Sequence, residues 1–152
     1  VESLEGLQFF LNLDTLILSN NSISSIAQLR GLAPPDPEAA DGGCADGEPC
    51  PRLRILDISN NDITDLQPLT GLLALQLLDV SFNDIDLWDP IVSVVANGFP
   101  GGGTLVVDET SVADPSTEGG FLPAFQDVLN AASERTSEPI DITIITGTTV
   151  AP

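Results

Sequence analysis

The sequence predicts an α/β solenoid, a right-handed superhelix of stacked repeats whose short strands, about five in all, form one parallel concave sheet. Three observations lead there. One segment superposes on others further along the chain, the apolar residues after each strand recur every third position, and a helical stretch followed by a strand closes the chain.

The repeat is explicit. Leu53, Leu56, Ile58, Asn61 and Ile63 superpose on Leu75, Leu78, Val80, Asn83 and Ile85 at an offset of 22 residues. Leu13, Leu16, Leu18, Asn21 and Ile23 supply a further copy, which continues through Ile26, Leu29 and Leu32 as Ile63 continues through Leu66, Leu69 and Leu72. Each copy then supplies a short strand with two inward apolar residues, a tight turn and a looser return. A single copy cannot bury its apolar edge, so neighbours stack around a shared core. Asn21, Asn61 and Asn83 fall where the chain leaves the strand. An amide both donates and accepts, so these side chains are expected to pair backbone groups of adjacent turns that would otherwise be buried without partners.

The spacing L-x-x-L-x-L-x-x-N-x-I resembles the leucine-rich repeat. Asn61, Ile63, Asp65, Leu66, Pro68 and Leu69 further resemble the N-x-I-x-D-I-x-P-L return of the bacterial internalin-like class. The resemblance is clear over residues 1–90 and weaker beyond. It implies a surface-exposed binding module and names no ligand.

Counting back by threes from Leu13 gives Phe10, Leu7, Leu4 and Val1, the places held by Leu72, Leu69, Leu66 and Ile63 in the second copy. A terminal repeat ordinarily carries a polar cap. The apolar edge here therefore points to upstream sequence, a processed chain or a partner covering Val1, Leu4 and Leu7.

Between the first and second copies the period breaks, with Leu13 and Leu53 lying 40 residues apart where 22 would keep step. The inserted loop, 33–52, is acidic and rich in Pro and Gly, and insertions in solenoids map to loops that often serve function. Its Asp36, Asp41, Asp46 and Glu48 are candidate calcium ligands by oxygen chemistry. They lack the alternating order of an EF-hand, so the default reading is a solvated loop with no cofactor. Cys44 and Cys50 read as a local disulfide, which argues for an oxidising compartment. The alternative is two free thiols; zinc is disfavoured because there is no histidine.

Beyond Ile85, residues 89–98 read as a short helix with Asp89 as N-cap, Pro90 in the first position and Gly98 as the stop. A fourth strand is expected at Leu105–Val107, with Thr110 in the asparagine position, a departure that puts the tight turn in doubt there. The glycines 101–103 lack the lysine and helix start of a phosphate loop and read as a linker. Phe121, Phe125, Val128, Leu129 and Ala132 have helical spacing, with Pro123 in the first turn, and Ile140, Ile142 and Ile144 alternate as a fifth strand. The expected division is repeats over 1–112 and a C-terminal cap over 113–152.

Function is constrained first by charge. Four arginines against 23 Asp and Glu give a net charge of −19. Binding to nucleic acid or anionic lipid depends on basic side chains, so both are disfavoured as partners. The apolar stretches are too short to span a bilayer. With no His and no Tyr, Ser-His-Asp and Cys-His arrangements are excluded, and an enzyme is not expected. Outward strand positions should form columns: Ile17, Asp57, Asp79, Val106 and Thr143 in one, Thr15, Ile55, Leu77, Thr104 and Asp141 in the next. Ser19, Ser59, Ser81 and Asp108 form a third, and Asn20, Asn60, Phe82 and Glu109 a fourth. From these the candidate partner-binding residues are Ile17, Ile55, Asp57, Leu77, Asp79, Phe82, Val106 and Asp108, read as an apolar patch with an acidic rim. Such a patch suits a protein partner with a basic or apolar contact surface. The leading reading is a secreted or cell-surface binding module. The competing one is a structural subunit of a larger assembly, joined through its N-terminal edge and inserted loop. A third takes the acidity as adaptation to saline surroundings.

Overall fold

In a computed structural model, residues 4–10, 12–33, 52–113, 116, 120–136 and 138–146 are described, at 8 and 110 by the main chain alone. Cys44, Cys50, Asp36, Asp41, Asp46, Glu48 and Val1 lie outside the described residues.

Five parallel strands form one sheet in chain order: β1 (Thr15–Ile17), β2 (Ile55–Asp57), β3 (Leu77–Asp79), β4 (Gly103–Asp108) and β5 (Ile140–Ile145). The chain returns behind the sheet through 3-10 turns at Ala27–Leu32 and Gln67–Leu69, and then through helices α1 (Asp89–Asn97), α2 (Glu109–Val112) and α3 (Pro123–Ser133). The choice of 3-10 geometry follows from the sequence. With three residues per turn, Ile26, Leu29 and Leu32, and likewise Leu66, Leu69 and Leu72, lie on one edge, and all six are buried.

In the sheet, Leu16, Leu56, Leu78 and Leu105 are in register and buried, with Ile58, Val80 and Val107 buried behind them. Each such side chain contributes roughly 1.5–3 kcal/mol relative to exposure. In the first repeat Leu13 and Leu18 are only partly buried, because β1 is the edge of the five strands and none of the described strands flanks its other side. The same edge position separates Phe10 from its counterpart Leu72: Leu4 is buried as its place predicts, whereas Phe10 is 59% exposed.

The asparagines do what their amide chemistry predicts. Asn61 Nδ2 donates to the carbonyls of Ile58 (3.1 Å), Ser59 (3.0 Å) and, one repeat back, Leu18 (3.0 Å), while its Oδ1 accepts from Ile23 N–H (3.0 Å). Asn83 repeats the set with Val80, Ser81, Ile58 and Ile63 N–H. Each amide thus ties its own turn to the repeat before it. Both asparagines are buried, so these bonds satisfy backbone groups that water cannot reach.

Helix α1 starts one residue earlier than expected. Asp89 is its first residue, Trp88 holds the N-cap position, and no side chain caps the helix. The Trp88 carbonyl instead accepts from Ile91 and Val92 N–H, and its indole is buried against Phe125 in edge-to-face contact, 5.0 Å between centroids. Gly98 ends the helix as predicted. Strand β4 is longer than its three expected residues and begins at Gly103. A side chain there would press to 2.4 Å from the Phe99 ring and 2.6 Å from the Gln76 carbonyl, so the chain can join the sheet at this point only as glycine.

After β4 the asparagine turn is gone. Thr110 lies inside α2, and Asp108 becomes the N-cap, its carboxylate accepting from Ser111 N–H (3.1 Å) and Ser111 Oγ (2.7 Å). Behind the sheet, the Arg135 guanidinium donates to the carbonyls of Val95, Gly98 (2.9 Å) and Phe99 (3.1 Å). It closes the C-terminal end of α1, where four carbonyls have no partner within the helix.

Candidate binding surface on the open face of the sheet

The side of the sheet away from the core is built from alternate strand residues, and its register matches the expected columns. Ile17 pairs with Asp57, Asp57 with Asp79, Asp79 with Val106 and Val106 with Thr143. In the neighbouring column Thr15, Ile55, Leu77, Thr104 and Asp141 are in line. Ile17 is 65% exposed, and Ile55, Leu77, Val106, Asp57 and Asp79 are half-buried. The two acids stand inside the aliphatic set, bracketed by Ile17 and Val106, and do not form a rim around it.

Asp57 and Asp79 are held in the same way. Ser59 N–H and Oγ donate to Asp57 Oδ1 at 3.0 and 2.7 Å; Ser81 N–H and Oγ donate to Asp79 Oδ1 at 3.0 and 2.6 Å. Oδ2 of either aspartate takes part in no hydrogen bond among the described residues. Both carboxylates are therefore fixed in direction by their own repeat, side by side at the interstrand spacing of about 4.8 Å. Like charges so placed destabilise a sheet by roughly 0.2–1 kcal/mol. Arg54, which directly precedes β2, is engaged with Asp14, its Nε 2.6 Å from Asp14 Oδ1.

At the carboxyl ends of the strands a depression of about 380 Å³ is lined by Asn20, Ser59, Asn60, Asp79, Ser81, Phe82 and Ile145. Asn60 Nδ2 donates to Asn20 Oδ1 across it (2.7 Å). The backbone here is left-handed at the equivalent place in three repeats: Asn20 at φ 59°, Asn60 at φ 52° and Phe82 at φ 55°. Asparagine tolerates this conformation. A bulky residue does not, at a cost of roughly 1–2 kcal/mol. Phe82 is held there by its N–H, which donates to Asp108 Oδ1 at 2.6 Å.

Asp108 is a correction to the sequence reading. It was expected to face a partner, but it is 2% exposed, its carboxylate engaged by Phe82 N–H and by Ser111. The reason lies in α2: once the asparagine turn gives way to a helix, the residue before that helix turns inward to cap it. Ile145, conversely, lines the depression without having been expected to. It is the last residue of β5, and the second consecutive isoleucine after Ile144, which breaks the alternation from Ile140, was the available signal.

Stacked parallel strands, repeat-length returns and an asparagine ladder define the class of fold: an α/β solenoid of the leucine-rich-repeat kind. The family model for leucine-rich repeats, in two copies, matches residues 51–90. Among solved structures the chain is similar to internalin C2 from Listeria monocytogenes, with a TM-score of 0.55 and 22% identity, over 95% of this chain and 47% of that one. The fold is thus internalin-like, and the chain spans about half the length of the internalin C2 chain it matches. No curated protein matches the chain. None of the described helices is long and apolar enough to cross a membrane.

Proposed function

We propose that the chain is an extracytoplasmic protein-binding module that takes its partner on the concave, open face of the sheet. One observation carries this reading: the register that sets Asp57 beside Asp79, between Ile17 and Val106. Aligning two like charges in neighbouring strands, amid exposed and half-exposed aliphatic groups, costs stability, and the bonds that Ser59 and Ser81 donate require an acceptor oxygen, which a neutral amide would also supply. A partner with a basic group and an apolar anchor would recover that cost. The repeat fold supports the reading, since such solenoids present extended concave surfaces for binding. The location outside the cytoplasm rests on the Cys44 and Cys50 pairing expected from sequence, and on the likeness to internalin C2.

A second reading, a structural subunit of a larger assembly, is favoured by a different observation. Phe9 and Phe10 are 78% and 59% exposed at the first-repeat end, and with Asn12 and Leu13 they line a depression of about 310 Å³. The two readings separate in a carboxylate-directed crosslinking map of the protein in its native extract, compared with the Asp57→Arg, Asp79→Arg double variant. The binding-module reading expects crosslinks at the strand columns, including the exposed Asp141 that the variant keeps, and expects the Asp141 crosslinks to vanish in the variant. Crosslinks clustered at residues 4–13 that survive the double substitution would replace it with the assembly reading.

A further inference from the structure

The depression at the carboxyl ends of the strands has a composition that selects a ligand. On one side stands Asp79, whose Oδ1 is fixed by Ser81 while Oδ2 is in no hydrogen bond among the described residues. On another stands Phe82, an aromatic ring in a place where the two preceding repeats carry asparagine. The strained backbone at Phe82 marks the ring as something the fold does not need for itself, since asparagine in the same conformation serves the first two repeats. Asn60, also in the lining, donates from its amide to Asn20 and carries a second acceptor in its side-chain oxygen. A carboxylate and an amide oxygen beside an aromatic ring, on a chain of net charge −19, call for a flat cation. Guanidinium meets all three terms: it is planar, stacks on aromatic rings, and is less strongly hydrated than an ammonium group.

Building on the concave-face reading, we propose that this depression takes an arginine side chain of the partner, its guanidinium stacked on Phe82 and bonded to the Asp79 carboxylate, with Asn60 as a further acceptor. The volume, about 380 Å³, accommodates one long side chain and not a folded element. Asp57, one strand away and outside the lining of the depression, adds attraction at longer range.

The test is an NMR titration of the whole chain with Nα-acetyl-arginine amide at low salt, against the corresponding lysine and citrulline amides. The expected result is a saturable response in the millimolar range, centred on Asn20, Asn60, Asp79 and Phe82, several-fold weaker with lysine and absent with citrulline. Phe82→Asn restores the residue of the earlier repeats and so keeps the fold; it should weaken arginine binding by about two- to five-fold. Asp79→Asn should remove the response. A response lacking saturation, equal for lysine, or unchanged in Phe82→Asn overturns the proposal. If that happens while partner crosslinks at Asp141 still vanish in Asp57→Arg, Asp79→Arg, the arginine assignment alone has failed. Crosslinks confined to residues 4–13 would overturn it together with the concave-face reading.

Discussion

The N–H of Phe82 donates to the Asp108 carboxylate, whereas at the same place in the earlier repeats Asn20 donates to the Ser59 carbonyl and Asn60 to the Ser81 carbonyl. A side chain has thus taken over a bond that the repeat otherwise makes with its backbone, at the point where the repeats give way to helix α2. Asp108→Ala should remove this acceptor together with the cap on Ser111, at a cost of about 2–3 kcal/mol. Asp108→Asn keeps one oxygen and should cost less than half as much. Urea unfolding at constant m-value is the check; equal losses for the two variants would contradict the assignment.

Phe82 itself should be dispensable for stability. Phe82→Asn relieves a left-handed bulky residue while giving up a half-buried ring, and the two effects should leave stability within about 1 kcal/mol of the parent. Phe82→Val, β-branched in the same conformation, should lose at least 1–2 kcal/mol. Denaturation midpoints of the pair will show whether backbone strain, and not packing, dominates at this position.

The buried amides should be far less tolerant than their exposed neighbours. Asn61→Ala strands Ile23 N–H and the carbonyls that the amide had tied together, and should cost about 2–4 kcal/mol. Asn60→Gly, which keeps the left-handed backbone easy and loses one exposed bond, should change stability by only a few tenths of a kcal/mol. Thermal unfolding of both variants measures the contrast.

Arg135 should act as a clamp on α1. Its planar fork reaches three carbonyls at the helix end, which a lysine cannot span. Arg135→Lys and Arg135→Ala should therefore be alike, each losing about 1–3 kcal/mol. Amide exchange should accelerate first at residues 95–99. A lysine variant with parental exchange would show that charge alone suffices.

What was legible in the sequence follows from the periodicity. The apolar pattern shared by the copies, and not a constant interval between them, sets the parallel strands in register, so the columns through Ile17, Asp57, Asp79 and Val106, and the bonding of Asn61 and Asn83, were legible from the residues alone. Asp108 was misplaced because its role depends on the asparagine turn being lost, at the point where the period stops informing. Trp88 and Arg135 were missed for another reason. Arg135 bonds residues 36 to 40 positions away, and Trp88 meets Phe125 across the packing of α1 on α3. Neither contact belongs to the repeat, although a lone tryptophan and one of only four arginines were conspicuous by rarity. The left-handed position of Phe82 was within reach, since the offset aligns it with Asn20 and Asn60.

The central claim is that Asp57 and Asp79 are present for a partner and not for the fold. Urea unfolding of Asp79→Asn at low salt tests this most directly, because asparagine keeps an oxygen for Ser81 to bond while removing the charge and turning the unbonded oxygen into an amide nitrogen. If the pair costs stability, the variant will be more stable than the parent by roughly 0.2–1 kcal/mol, and the gain will shrink as salt screens the repulsion. A variant destabilised by 1 kcal/mol or more would mean that the charge supports the fold, and the functional reading of this face would lose its basis.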